Sequence, residues 1–250
     1  MKIITYNLNG IRAALKKDLI GFIKREDPDV LCFQEIKASP EQFDVEEFSG
    51  LGYHCYWYPA QKKGYSGVAL LSKTKPTEVI EGCGQELFDF EGRVLSAVIK
   101  GHLIISTYFP SGTTGDIRQD VKYEFLDYFY NWIESLKQHY QKIIVCGDYN
   151  ICHKEIDIHN PKSNKNSSGF LPEERAWMDK WFSSGFIDSF RYLNPEPHNY
   201  TWWSYRAGAR GNNKGWRIDY ISVTDNITVK SSGLFTNDVH SDHCGSFVTL

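Results

Sequence analysis

Eight short apolar runs rich in β-branched residues punctuate this chain, and their number limits its possible folds more than any other feature. They are Lys2 to Tyr6, Val30 to Phe33, Val68 to Leu71, Val94 to Ile99, Leu103 to Tyr108, Lys142 to Cys146, Ile218 to Val223 and Phe247 to Leu250. Such runs read as strands, many of them buried. Helical patterns lie between them. Ile11, Leu15, Leu19, Phe22 and Ile23 form one apolar face that ends near Asp27-Pro28, because proline turns the preceding residue away from helix. Ile117, Val121, Phe125, Tyr128, Trp132, Ile133 and Leu136 form a longer one. A third helix starts near Pro172-Glu173-Glu174, proline suiting a first turn. These aromatic stripes predict core. No linker, repeat or low-complexity block divides the 250 residues, so a single mixed α/β or α+β domain spanning 1–250 is expected. Strands outnumber helices, which favours two packed sheets over one doubly wound sheet.

The formal charge is −3, from 31 acidic and 28 basic side chains, so any polyanionic partner must be met by a local basic patch. Six scattered cysteines with no CxxC pair make a zinc site and a disulfide framework both poor readings. The chain opens on MKIITYNLNG without an apolar leader, and no apolar stretch approaches the ~20 residues that span a bilayer. A reducing cytoplasm is the expected address.

Polar residues gather where the apolar runs stop. IITY runs into Asn7, VLCFQ into Glu35, LIIST into Tyr108 and KIIVCG into Asp148-Tyr149-Asn150; Asp219 opens another run and Asp242-His243 precedes the last. Strand ends of a packed sheet converge on one rim. Taken singly, each has a plainer reading: Asn and Asp start turns, Glu35 pairs with Lys37, and Asp219 pairs with Arg217. Taken together, they are parts for hydrolysing a phosphodiester. A carboxylate such as Glu35 suits a hard cation, which takes oxygen ligands. A histidine beside Asp219 or Asp242 has its tautomer fixed and its basicity raised.

The strings YNLNGIR, QEIK, SGVALLS, YFPSG, GDYN, HNPKSNKNSSGFLPEER, GWRIDYI and SDHC follow the order and spacing of the exonuclease III family of apurinic/apyrimidinic (AP) endonucleases, which this chain resembles as a bacterial member. GDYN and SDHC alone point only to the wider endonuclease/exonuclease/phosphatase superfamily. NPKSNKNSSGFLPEER and GWRIDYI carry the narrower resemblance. It implies a four-layer αββα sandwich and Mg²⁺-dependent incision of DNA 5′ to abasic sites, leaving a 3′-hydroxyl. It also implies 3′→5′ exonuclease and 3′-end cleaning activity, Mn²⁺ able to replace Mg²⁺, and a monomer that works at the nucleoid. Glu35 would be the principal metal ligand, with Asn9 and Asp242 beside it. Asp148 would activate or align the attacking water, and Asn7 and Asn150 would position water and phosphate. Tyr108 would contact the phosphate and assist the leaving group. His243, steadied by Asp219, would bind a phosphate oxygen or act as base. Trp202, Trp216 and Ile218 would line a slot for the extruded, base-less sugar.

Duplex DNA would be gripped by Arg12, Lys37, Asn160, Lys162, Asn164, Arg206, Arg210 and Arg217. Most of these lie in the polar stretches Asn160 to Gly169 and Arg206 to Gly215, long enough to carry function. Two departures from the family pattern stand out: Tyr6 replaces a Trp or Phe, and Asn9 replaces an Asp found in some relatives, which makes a second metal ligand neutral here. The rival readings are a phosphoesterase for inositol phosphates, lipids or RNA, and a DNA-binding module without catalysis.

Overall fold

Alternation of side chains decides the layering. Ile143 and Val145 pack with one cluster that includes Phe125, Phe129 and Trp181, while Ile144 and Cys146 pack with another that includes Ile3, Val30 and Leu70. Both faces of such a strand are covered, which is why its sequence is almost unbroken in apolar residues. The computed structural model describes residues Met1–Leu250. Its strands are β1 (Lys2–Asn7), β2 (Val30–Gln34), β3 (His54–Tyr58), β4 (Val68–Ser72), β5 (Glu78–Glu81), β6 (Val94–Ile99), β7 (His102–Tyr108), β8 (Ile143–Asp148), β9 (Phe186–Asp188), β10 (Asp219–Thr224), β11 (Ser231–Leu234) and β12 (Ser246–Thr249). Its helices are α1 (Ile11–Leu15), α2 (Leu19–Glu26), α3 (Glu46–Ser49), α4 (Glu86–Phe90), α5 (Asp116–Leu136), α6 (Pro161–Asn164), α7 (Pro172–Ser183) and α8 (Ser189–Leu193).

The strands form two six-stranded sheets, ordered β11-β12-β1-β2-β4-β3 and β5-β6-β7-β8-β10-β9. One core cluster lies between the sheets, one joins the first sheet to α1, α2 and α3, and one joins the second sheet to α5 and α7. This is the expected αββα sandwich. Each sheet holds a single parallel pair at its centre, β1 with β2 and β7 with β8, and every other pairing is antiparallel. The C-terminal ends of these four central strands therefore share one edge of the sandwich. No helix is long and apolar enough to cross a membrane.

Three expectations need correction. The first helical face is split: α1 stops at Leu15, and Asp18, in the left-handed region at φ 62°, caps α2 by accepting from the Gly21 amide. Ile117 is not core but 80% exposed, and the buried face of α5 is Lys122, Phe125, Leu126, Phe129 and Ile133. The stretch Asn160 to Gly169 is not all loop, since it contains α6.

Candidate active site

The rim where β1, β2, β7 and β8 end collects the polar residues. Asn7 ends β1 opposite Gln34, placing Glu35 just beyond, and Tyr108 ends β7 opposite Asp148. Because β10 runs antiparallel to β8, its first residue, Asp219, stands opposite Asp148. Likewise β12 runs antiparallel to β1, so His243, three residues before β12, returns to the same rim. Gly147 allows β7 and β8 to approach here, as a Cβ at this position would lie 1.8 Å from the Thr107 carbonyl oxygen.

A continuous polar network results. Asn7 Nδ2 donates to Glu35 Oε1 at 2.9 Å and to Asp148 Oδ2 at 2.8 Å, bridging the two sheets. The Asn150 amide donates to Asp148 Oδ1 at 2.8 Å. His243 Nδ1 lies 2.9 Å from Asp219 Oδ2, so Nδ1–H donates to that carboxylate and Nε2 faces Asp148, 3.8 Å from its Oδ2. Asn9 Nδ2 donates to Asp242 Oδ1, and Trp202 Nε1 donates to Asp242 Oδ2. Four of the residues involved, Asn9 (φ 46°), Glu35 (φ 49°), Lys37 (φ 51°) and Asn150 (φ 52°), hold left-handed backbone without being glycine. Such conformations persist only where their surroundings hold them.

Charge is out of balance here. Burial and then the neighbouring Asp219 push the Asp148 carboxyl up to about 8. Burial disfavours a charged His243, but the charge and hydrogen bond of Asp219 prevail and hold it at about 10. For Glu35 burial works upward, and the Lys37 ammonium 2.6 Å away prevails, leaving it below the ordinary carboxylate range. Tyr108 is raised well above the usual phenol value by burial and then by the charge of Glu35. Arg93 lies 5.0 Å from its ring centre.

These groups open on a cavity of about 750 Å³ whose lining includes Glu35, Tyr108, Asp148, Asn150, Asp242 and His243 on one side and Trp202, Trp216 and Ile218 on another. The two indoles meet edge to face at 6.1 Å and pack with Cys152, Ile158 and Phe170. Donor atoms of Glu35, Asp148 and His243 all fall within 4.8 Å of one another, and Asp219 Oδ1 is buried without a partner. An oxygen-rich, carboxylate-heavy set of this kind suits a hard divalent cation. Asp242 is not in that triplet; Asn9, Ser241 and Trp202 all donate to its carboxylate.

The expected DNA contacts divide into two groups. Arg12, Asn160, Lys162 and Arg206 are exposed, and Asn164 is half-buried with its amide on the His159 and Asn160 carbonyls. Arg217, by contrast, is fully buried, donating to Asp157 at 2.7 Å and Asp188 at 2.6 Å, so it is no surface phosphate clamp and does not pair with Asp219. Arg210 uses its guanidinium on the carbonyls of Thr236, Asp238, Ser241 and His243 and stacks on Trp203. It shapes the segment carrying Asp242 and His243. Lys37 lies inside the site, on Glu35 and Asn9. The sequence reading overlooked Gln119, which lines the cavity, and Lys122 and Glu174 behind its wall; a lysine within the apolar stripe of α5 is the signal that could have found them.

Residues 4–243 match the endonuclease/exonuclease/phosphatase family. The chain is 40% identical over 248 residues to an exodeoxyribonuclease of Bacillus subtilis (strain 168), covering 98% of this chain and 97% of that one. An AP endonuclease from Archaeoglobus fulgidus has the same fold at a TM-score of 0.90 and 30% identity, over 100% of this chain and 99% of the other. A 3′ phosphatase from Neisseria bound to product DNA hairpin gives a TM-score of 0.92 at 26% identity, over 100% and 99% of the two chains.

Proposed function

Because the chain belongs to the endonuclease/exonuclease/phosphatase family, we propose that its cavity is the active site of a DNA repair nuclease of the exodeoxyribonuclease III type. It incises DNA 5′ to abasic sites, leaves a 3′-hydroxyl, and also degrades and cleans 3′ ends. The observation that carries this reading is the meeting of two unlike surfaces in one cavity: Glu35, Asp148, Asn150 and His243, held from behind by the buried Asn7 and Asp219, and the apolar wall of Trp202, Trp216 and Ile218.

Hydrolysis needs a water in line with the scissile bond, positive charge at the phosphate oxygens, and help for the departing 3′ oxygen. Asp148, held by Asn7 and Asn150, aligns the water and takes its proton. His243, cationic through Asp219, holds a phosphate oxygen. Tyr108 stays protonated and donates a hydrogen bond to the phosphate. Asn7 and Asn150 act through the carboxylates they hold, and so position water and phosphate. Glu35, with Asp242 and Asn9 beside it, would hold Mg²⁺, which would supply positive charge for the phosphate and the leaving oxygen. An abasic sugar leaves the base stack at low cost and fits a slot that a full nucleotide overfills.

The test is a duplex with one abasic analogue, compared with an intact duplex and a soluble phosphate ester, with Mg²⁺ or EDTA. A nick at the lesion that EDTA abolishes is expected; preference for the soluble ester sinks the proposal. Trp216→Ala should then reduce abasic incision roughly tenfold more than 3′-phosphate release, in line with the worth of one aromatic wall.

A further inference from the structure

Behind the wall that faces Trp216 lies a buried ion pair that the chemistry above leaves unused. Lys122 of α5 and Glu174 of α7 are both 0% exposed and bonded to each other. A buried pair is no better for stability than well-packed apolar residues of similar volume, so its remaining bonds indicate what it does. Lys122 Nζ donates to the Asn150 carbonyl at 2.8 Å. Glu174 Oε2 accepts from the amides of Gly169 at 2.6 Å and Leu171 at 3.0 Å, and its Oε1 accepts from Gln119 Nε2 at 3.1 Å. Gln119 Oε1 in turn accepts from Ser168 Oγ at 2.7 Å. Capping of α7 explains the Leu171 bond but not those to Gly169 or Asn150.

Gly169 shows why these bonds matter. At φ +93° it is wedged between the Asn150 carbonyl and the Trp216 ring, and a Cβ there would lie 3.0 Å from each. Any shift in this wall therefore moves toward the apolar slot or toward Asn150, whose own left-handed backbone keeps its amide on Asp148.

We propose that Lys122 and Glu174, with Gln119, are positioning residues of the active site. The pair fixes Asn150 against Asp148 and sets the gap between the Gly169 wall and Trp216. This rests on the abasic-nuclease reading above. The specificity half of the proposal concerns slot width, and the rate half concerns the alignment of Asn150.

The experiment uses the full chain and three proteins: the wild type, the charge-neutral double variant Lys122→Met/Glu174→Gln, and Gln119→Leu, whose side chain is half-buried and leaves the pair intact. Each is tested for kcat and KM on an abasic-analogue duplex and on a duplex ending in a 3′-phosphate, well below its melting temperature. The double variant is expected to lose kcat roughly 10- to 100-fold on both substrates, as displacement by about an ångström does, and roughly threefold more on the abasic one. Gln119→Leu is expected to lower the abasic to 3′-phosphate ratio about threefold. A double variant that melts lower but turns over as the wild type does overturns the proposal. If the double variant does not fold, an unchanged ratio in Gln119→Leu overturns it. Wild type that fails to nick the abasic duplex overturns the functional reading instead, which keeps the two failures apart.

Discussion

Asp148 and Asp157 are both buried aspartates, and their carboxyl groups are driven in opposite directions. For Asp157 burial works upward, but the charge of Arg217 prevails and brings it to about 2; burial and the charge of Asp219 take Asp148 to about 8. The difference lies in their company. Asp157 and Asp188 face Arg217 and Arg191, two of each sign, with hydrogen bonds along each pairing. Asp148 shares its rim with Glu35, Asp219 and Asp242 and with only His243 and Lys37 to offset them. The balanced cluster holds structure together beside the apolar slot. The unbalanced one calls for positive charge from outside, and such perturbation clusters at functional sites.

The strongest way to break this contrast is Asp148→Asn. Cutting of the abasic duplex should fall on the order of 10³-fold or more, with DNA binding in EDTA changed less than about threefold, and the metal-free protein should melt no lower. A matching loss of binding would show that Asp148 orders the site rather than acting in it. Next comes Asp157→Asn, which leaves Arg217 and Arg191 short of a partner. Urea unfolding should register a loss of about 3 to 5 kcal/mol, while the folded fraction still cuts. An unchanged midpoint would mean that the balanced cluster is ornamental to stability.

The subtlest comparison is the pH dependence of melting in EDTA. Asp148 is raised, so the folded protein keeps that proton longer than the unfolded chain does, and stability falls as pH rises from about 4 to about 8. His243 acts in the same sense: its contribution is complete below about 6.5 and is lost as pH climbs through about 10. Asp157 is depressed, so its contribution is present above about 4 and is lost as pH falls through about 2, roughly 2 to 3 kcal/mol in all. Asp148→Asn should flatten the alkaline limb and Asp157→Asn the acid one. Excess Mg²⁺ should flatten only the alkaline limb. Limbs that respond to the wrong substitution would dissolve the distinction.

The same divide separates what could be read from the chain and what could not. All eight apolar runs are strands, because covering both faces writes the burial directly into the residues. The four strands that went unread, His54–Tyr58, Glu78–Glu81, Phe186–Asp188 and Ser231–Leu234, are the four sheet edges. Edges are short and partly exposed, and each is paired along one side only, as β11 is with β12, so burial is not written into both of their faces. The residues of the rim were legible because each interrupts an apolar run at its end. Arg217 misled for the opposite reason. It follows a basic, glycine-rich stretch that looks like a phosphate grip, while the aspartates that bury it lie 60 and 29 residues away. Ile117 fitted a helical stripe whose true register is marked by Lys122, a residue that a hydrophobic pattern passes over.

Left-handed backbone at Asn9, Glu35, Lys37 and Asn150 carries a consequence for anyone who would redesign this molecule. At each of these positions glycine would relieve strain on the order of 1 kcal/mol. Breeding for hardiness alone would therefore drift toward glycine at the four places that hold the network together, and the hardiest descendants would be blanks. A thermostable version must be sought with those four positions locked, and improvements taken from the edge strands and the exposed helix faces instead.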